Sequence, residues 1–222
     1  ELENPDVVII EGFKNEYGED PRCIADNDPR WLSYRSRILT QFMREIREEL
    51  DAVAEEQGRS KRLKISAVSM ASIEENLYNA MDIKDWIDKD LVDTIILYSS
   101  FPNLESLDEA WTDIRVVEPF VSLTKGTKCD LAVNIMPRLL GPESIRRQAF
   151  RLHRAGVKNI FIWDSDVFQG RSDSSGCWNA VRRLGHRAEI ESWIEAGEPD
   201  LGTPMRTVRK MGDWDLSYRT PA

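Results

Sequence analysis

The longest amphipathic pattern in the chain lies near its start, over residues 29–57. Apolar residues there recur at helical spacing and form one stripe, while Arg and Glu residues fill the opposite side. The stripe consists of Leu32, Leu39, Phe42, Met43, Ile46, Leu50 and Val53. Gly58 follows directly and is typical of a helix end. The pattern predicts a helix over residues 29–57 whose apolar stripe faces the core.

The opening stretch NPDVVIIEGFKNEYG, residues 4–18, allows two interpretations. Its unbroken apolar run from Val7 to Ile10 is typical of a buried strand. Asn4 as an N-cap, Pro5 as the first helical residue and Gly18 as a left-handed stop favour a helix instead. Because the start and stop signals agree with each other, we predict a helix over residues 4–17.

Four short apolar runs further along the chain predict strands. They are LKISAVSM (63–70), VDTIILYSS (92–100), CDLAVNIMPR (129–138) and VKNIFIWDSD (157–166). Segments with helical patterns separate these runs, and such alternation is typical of a parallel sheet with right-handed crossovers. After the last strand, residues 176–197 predict one or two helices, and residues 204–222 predict a short strand and an extended end. The chain is therefore predicted to have an α/β fold.

Composition and charge argue against some partners. The 222 residues include 39 Asp and Glu against 30 Lys and Arg, which gives a formal charge of -9, whereas a nucleic-acid-binding protein needs a basic face. No apolar run approaches the roughly 18 residues of a membrane span. We therefore expect no nucleic acid and no membrane partner, and a neutral or cationic ligand fits the charge better.

Neither a metal nor a cofactor is predicted. Cys23, Cys129 and Cys177 are far apart and form none of the CxxC spacings typical of zinc sites, so we expect three unpaired thiols, with one disulfide and one thiol as the alternative. The segment FQGRSDSSG, residues 168–176, lacks the glycine pattern of a nucleotide-binding loop. His153 and His186 are expected at exposed helix positions.

Four segments carry a resemblance to a known family. They are EGFKNEYGEDPR, WLSYRSRILTQFMREIRE, DIKDWIDKDLVDTIILYS and RLHRAGVKNIFIWDSD. Over residues 3–190 the chain resembles the later half of bacterial glycosyl-hydrolase-like (β/α)8 barrels, and in particular the family-ten-like group. The resemblance rests mostly on a Trp-bearing helix before a "VD" strand and on an "AG" helix end before a "W-D" strand.

The resemblance implies that the predicted strands are strands five to eight of a TIM-type barrel, with the opening helix in a loop after strand four. Residues 1–190 would be the partial barrel, and residues 191–222 a C-terminal extension packing on it. A whole barrel needs eight strands and typically about 250 residues, and the chain opens on Glu1 without an initiator Met. We therefore expect the C-terminal part of a longer protein, with the missing N-terminal half of the same chain as its partner.

The same resemblance implies a bacterial glycoside hydrolase. In such barrels the active site lies at the C-terminal ends of the strands, and hydrolysis needs two carboxyl groups across the scissile bond. Among the predicted strands only the last ends in carboxylates, so Asp164 and Asp166 are the candidate catalytic residues. Capping of a helix or turn is the alternative role for both.

Five further residues are candidates for contact with a saccharide substrate. Tyr98, Asn134, Arg138 and Trp163 end predicted strands, and Glu3 follows the position of the missing fourth strand. An aromatic ring such as that of Trp163 suits the C–H face of a sugar, but a core position fits the pattern equally well. Tyr98 has the same two options. For Arg138 the alternative is an ion pair with a neighbouring aspartate.

Two other functions remain open at this point. Four parallel strands could form an open flavodoxin-like sheet, complete in itself, that holds a small ligand at its switch point without catalysis. A TIM barrel of another reaction class is the second option, because a fold does not fix the chemistry. The sequence does not indicate a compartment, and export to the periplasm or the medium is compatible with the resemblance.

Overall fold

A computed structural model of the chain describes residues 5–98, 114–135, 140–163, 168, 172 and 174–197, with only the backbone of Pro5 and Asp6. The described residues form two compact units. Unit 1 comprises those up to Ile95 together with Gly126–Cys129, and unit 2 comprises those from Ile96 onward apart from these four. The predicted C-terminal extension, residues 191–222, lies mostly outside the described residues, and its boundary stays a prediction.

The strands form a four-stranded sheet in which all neighbours are parallel. They are β1 (Ser66–Ser69), β2 (Thr94–Leu97), β3 (Asp130–Ile135) and β4 (Asn159–Ile162). All four predicted strands are confirmed, each over a shorter stretch than its apolar run. The strand order β1-β2-β3-β4 follows the chain, as it does for neighbouring strands of a (β/α)8 barrel. The predicted α/β class with parallel βα units is confirmed.

Helices separate the strands as the sequence predicts. Those in the described residues are α1 (Pro5–Tyr17), α2 (Pro29–Glu56), α3 (Ile73–Tyr78), α4 (Ile83–Asp88), α5 (Ile114–Thr124), α6 (Pro142–Arg154), α7 (Ser174–Arg183) and α8 (Arg187–Ala196), with a 3-10 turn at Pro21–Cys23. The helix predicted over residues 4–17 is confirmed, and Gly18 follows it with a φ of 71°. That left-handed conformation is readily adopted by glycine. The predicted N-cap Asn4 lies outside the described residues.

Helix α2 ends one residue before its predicted end, and its most buried residues are not those of the apolar stripe. Its N-cap is Asp28, whose carboxylate accepts a hydrogen bond from the Arg30 amide at 2.9 Å. The prediction that Phe42 faces the core is wrong, because its side chain is 56% exposed, and the rest of the apolar stripe is only half-buried. The buried residues are instead Ser36, Thr40, Arg47 and Ala54. Three of these side chains are small. Helix α2 packs against α3 and α4.

Ion pairs hold together the segments that precede β1 and β2 in unit 1. The Asp93 carboxylate accepts hydrogen bonds from the Ile65 amide at 2.8 Å and from Arg62 Nε at 3.1 Å, and Arg47 Nη1 lies 3.5 Å away. Arg47 also pairs with Asp51. The Asp93 side chain is 14% exposed and that of Arg47 is 6% exposed, so this network is largely buried. It lies at the N-terminal side of the strands, opposite the end at which (β/α)8 barrels have their active sites.

Unit 2 has an apolar core around β3 and α6. Helices α5 and α6 pack against β3, and α6 packs in turn against α7 and α8. Its fully buried side chains include those of Phe120, Ile135, Ile145, Leu152, Phe168 and Ile190. Arg146 is also buried, and its guanidinium lies 4.4 Å from the centroid of the Trp193 ring. This cation–π contact joins α6 to α8.

The two histidines differ in their positions. His186 is exposed at the start of α8, as predicted. The prediction for His153 is wrong, because its side chain is only 4% exposed and its ring nitrogens lie 3.0 and 2.8 Å from the carbonyl oxygens of Val157 and Leu184. Both carbonyls lie just beyond the C-terminal ends of helices, where backbone acceptors lack partners within the helix. A ring nitrogen can donate to such an acceptor, which accounts for burial of a polar side chain here.

The cysteines are thiols, as expected: Cys23 is exposed, and Cys129 and Cys177 are buried. Within the described ranges, no helix is both long enough and apolar enough to cross a membrane.

Candidate functional site

Three of the seven predicted site residues lie in the described part of unit 2. Tyr98 directly follows β2, Asn134 is the penultimate residue of β3, and Trp163 directly follows β4. All three therefore belong to the C-terminal ends of parallel strands. The other four, Glu3, Arg138, Asp164 and Asp166, lie outside the described residues, so their roles stay predictions.

The aromatic rings of Tyr98 and Trp163 lie edge to face. Their centroids are 5.9 Å apart and their planes make an angle of 76°. Phe161, two residues before Trp163, contacts the same indole from the strand, with centroids 6.0 Å apart. Such contacts favour one orientation of a ring over others. The indole of Trp163 is thus braced from two sides.

Trp163 is nevertheless open to solvent. It is 41% exposed, whereas Trp86 in unit 1 is 3% exposed. A core position for Trp163, the alternative in the sequence analysis, is therefore wrong. An exposed aromatic ring held by two ring contacts at the end of a strand offers apolar surface to a ligand.

Asn134 connects β3 to the residue that follows β4. The two strands pair in parallel with Asn134 opposite Phe161 and Ile135 opposite Ile162. Trp163 is one position beyond the last of these pairs, and its backbone N–H donates to Oδ1 of Asn134 at 3.2 Å. The side chain thus supplies an acceptor at the point where the paired backbone ends.

The other half of the Asn134 amide has no such partner. The residue is 0% exposed, and within the described part of the chain its Nδ2 makes no hydrogen bond. A buried donor without an acceptor costs about 1–3 kcal/mol of stability. At the end of β3, the Asn134 side chain thus makes one hydrogen bond through Oδ1, while its Nδ2 makes none within the described residues.

The end of β1 in unit 1 provides a comparison. Asn76 is also 0% exposed, but its Oδ1 accepts from the Met70 amide at 2.8 Å, and its Nδ2 donates to the carbonyls of Met70 and Ser72 at 3.0 and 2.7 Å. Ser72 caps α3 by accepting a hydrogen bond from the Glu75 amide at 3.1 Å. Backbone groups of nearby residues thus satisfy both ends of the Asn76 amide, as expected for an asparagine whose role is structural.

Unit 1 has an open cleft of about 460 Å³. It is lined by Glu16, Tyr34, Arg37, Ile38, Gln41, Phe42 and Glu45. The charges of Glu16 and Arg37 are already paired at 2.7 Å, and this pairing lowers the pKa of the Glu16 carboxyl. Nothing in the lining points to a particular occupant, so the cleft is a weaker candidate than the strand ends of unit 2.

Ion pairs or local hydrogen bonds account for the carboxyl groups of unit 1 whose pKa is lowered. A hydrogen bond from Lys128 at 2.9 Å lowers the pKa of Asp90, with a further contribution from Arg62. The pKa of Asp20 is likewise lowered, first by hydrogen bonds from Arg22. Shifts of this direction keep a carboxylate charged and so do not create the general acid that glycoside hydrolysis requires. Among the described residues, no three His, Cys, Asp or Glu side chains come together as metal ligands could.

No protein-family model matches the chain, and no curated protein matches it closely enough to indicate a relationship.

Proposed function

We propose that the strand ends of unit 2 bind a carbohydrate, and that the full-length protein is a glycoside hydrolase. The observation that carries the proposal is the exposed indole of Trp163, braced by Tyr98 and Phe161 at the C-terminal end of β4. Pyranose rings present C–H surfaces that pack on aromatic faces, while their hydroxyl groups remain at the edges for polar contacts. A rigid aromatic ring costs little conformational entropy on binding.

The order of the strands supports part of a (β/α)8 barrel over an open, doubly wound sheet. In a (β/α)8 barrel consecutive strands are neighbours, and the active site lies at their C-terminal ends. A doubly wound sheet reverses its order at the switch point where it binds ligands, and no reversal occurs among the four described strands. The open-sheet binding module therefore loses the feature on which it depended, and we do not propose it.

Hydrolysis would need a pair of carboxyl groups near the bound sugar. Asp164 and Asp166 remain the predicted pair on this chain, and Arg138 and Glu3 remain predicted substrate contacts. In the full-length protein, Asp164→Asn or Asp166→Asn is expected to lower kcat by about 10²-fold or more if the residue is the acid, base or nucleophile. The exposed Asp26→Asn serves as the control and is expected to leave kcat unchanged. A change confined to KM would assign the residue to binding alone, and normal turnover by both variants would refute the catalytic assignment.

Binding is tested on this chain by calorimetric titration with hexasaccharides of β-1,4-linked glucose, xylose and N-acetylglucosamine. Trp163→Ala is expected to weaken the preferred hexasaccharide about tenfold, for a loss of about 1.4 kcal/mol of stacking energy. Phe42→Ala is the matched control, because it also removes an exposed aromatic ring, 56% exposed on α2 of unit 1. Equal effects of the two substitutions would refute the proposed site.

A further inference from the structure

We propose that Asn134 is a positioning residue: its carboxamide holds the backbone of Trp163 so that the indole presents its face to the sugar. The inference rests on the proposed function, because it assigns Asn134 a role in the same site. It goes further by naming the group that sets the orientation of the aromatic ring, and by placing that group on a different strand.

The hydrogen bond from Trp163 to Asn134 lies just beyond the paired part of β3 and β4. The backbone pairing of β3 with β4 extends to Ile135 and Ile162, and Trp163 lies one residue beyond. Its N–H is bonded by the Asn134 side chain at 3.2 Å. This bond fixes the backbone at the Cα from which the indole projects, and ring contacts with Tyr98 and Phe161 then fix the side chain.

Stability alone does not account for asparagine at position 134. Asparagine is disfavoured in strands, where β-branched residues fit best, and the buried Nδ2 of Asn134 finds no acceptor among the described residues. Asn76, equally buried, uses both ends of its amide in local hydrogen bonds. A residue that breaks the rules of strand and core composition is expected at a functional position.

The two asparagines make a matched pair for the test. In the 222-residue chain, Asn134→Val and Asn76→Val each remove a fully buried carboxamide, and Asn134→Asp keeps an oxygen that can accept from the Trp163 amide. Three quantities are measured for each variant. They are the thermal midpoint, the hydrogen-exchange rate of the Trp163 amide, and the affinity for cellohexaose, whose equatorial hydroxyls leave both ring faces apolar.

The positioning role predicts a specific combination of results. Asn134→Val is expected to melt no lower than the natural protein, to exchange the Trp163 amide at least about tenfold faster, and to bind cellohexaose about tenfold more weakly. Asn134→Asp is expected to restore slow exchange of that amide. Asn76→Val is expected to melt at a lower temperature without changing exchange at Trp163.

Other combinations overturn the inference. If Asn134→Val lowers the midpoint as much as Asn76→Val does, or fails to fold, Asn134 is a structural residue. If Asn134→Val leaves Trp163 exchange unchanged, the hydrogen bond does not fix the backbone. Failure of the natural protein to bind any of the hexasaccharides would refute the proposed function instead, and the exchange rates would still decide whether Asn134 positions Trp163.

Discussion

The indole N–H of Trp86 donates a hydrogen bond to the hydroxyl of Thr40 at 2.9 Å. Both side chains are buried, at 3% and 4% exposure, and the bond joins α4 to α2 within unit 1. It explains why the buried face of α2 contains a polar residue at this position, since an indole donor in a core needs an acceptor. The pairing of these two residues is a structural feature of the helix layer in unit 1.

Thr40→Val removes the acceptor while keeping the shape of the side chain. It leaves the Trp86 donor buried without a partner, so we expect a loss of about 1–3 kcal/mol in the free energy of unfolding. Urea denaturation measures the loss. Thr40→Ser keeps the hydroxyl and is the control, with a smaller expected loss from the missing methyl group. A Thr40→Val protein as stable as the natural one would show that the bond contributes nothing.

The local signals in the sequence predicted most of the elements. The Pro5 start and Gly18 stop identified α1 against the competing strand pattern, and the apolar run around Ile95 identified a buried strand. Each of these signals depends on a few neighbouring residues, and the predicted helix and strand are both present in the structure. The bond between Asn134 and Trp163 could not be predicted in this way, because it joins residues 29 positions apart through a side chain and a backbone group.

The failures of the sequence analysis have a common cause. The stripe of α2 ranked residues by hydropathy, but helix packing also selects for small side chains and for polar pairs such as Thr40 with Trp86. His153 looked exposed because its helix is rich in arginine, yet two backbone carbonyls from outside that helix accommodate its ring. Partners that lie elsewhere in the chain decide both positions, and a pattern along one helix does not contain them.

Asp93→Asn tests the buried ion-pair network of unit 1. The change removes the charge that faces Arg47 and Arg62, and we expect a loss of about 2–3 kcal/mol in the free energy of unfolding. This lies at the low end for a buried pair, because the Arg62 side chain is 30% exposed. Asp51→Asn removes the 47% exposed partner of the same Arg47 and is expected to cost less than about 1 kcal/mol. Equal losses in denaturation experiments would contradict the assignment of Asp93 as the central acceptor.

Asp90→Asn is expected to change the pH dependence of stability. Hydrogen bonding from Lys128 lowers the pKa of Asp90 from its ordinary value of 3.8, so the carboxylate stabilises the fold at neutral pH and this contribution is lost as the pH falls through the lowered pKa. Because the pair is partly exposed, we expect the variant to be less stable by under about 1 kcal/mol at pH 7. Asparagine tolerates the φ of 57° at this position.

The difference between natural and Asp90→Asn protein should close as the pH falls below 3.8. Denaturation midpoints measured from pH 7 to pH 2 provide the comparison. Lys128→Met removes the same hydrogen bond from the other side and should show the same trend. A difference that stays constant over this range would mean that the charge of Asp90 is not responsible.

Gln148 offers a stabilising substitution in unit 2. Its side chain on α6 is 2% exposed, and within the described part of the chain neither Oε1 nor Nε2 has a hydrogen-bond partner. Gln148→Met keeps the length of the side chain and removes both polar atoms, so we expect a gain of about 1–2 kcal/mol in the free energy of unfolding. The exposed Gln41→Met is the control, with no gain expected. A loss of stability at Gln148 would show that its amide is satisfied in solution.

The most direct test of a carbohydrate site at Trp163 is the two-dimensional NMR spectrum of the indole N–H groups during addition of the hexasaccharides. The chain has seven tryptophans, and the Trp163 signal is identified by its disappearance in Trp163→Phe. We predict that one hexasaccharide shifts the Trp163 signal in a saturable manner, while the signal of buried Trp86 stays in place because its N–H is bonded to Thr40. A Trp163 signal that does not move at millimolar concentrations of any hexasaccharide would contradict the proposed function.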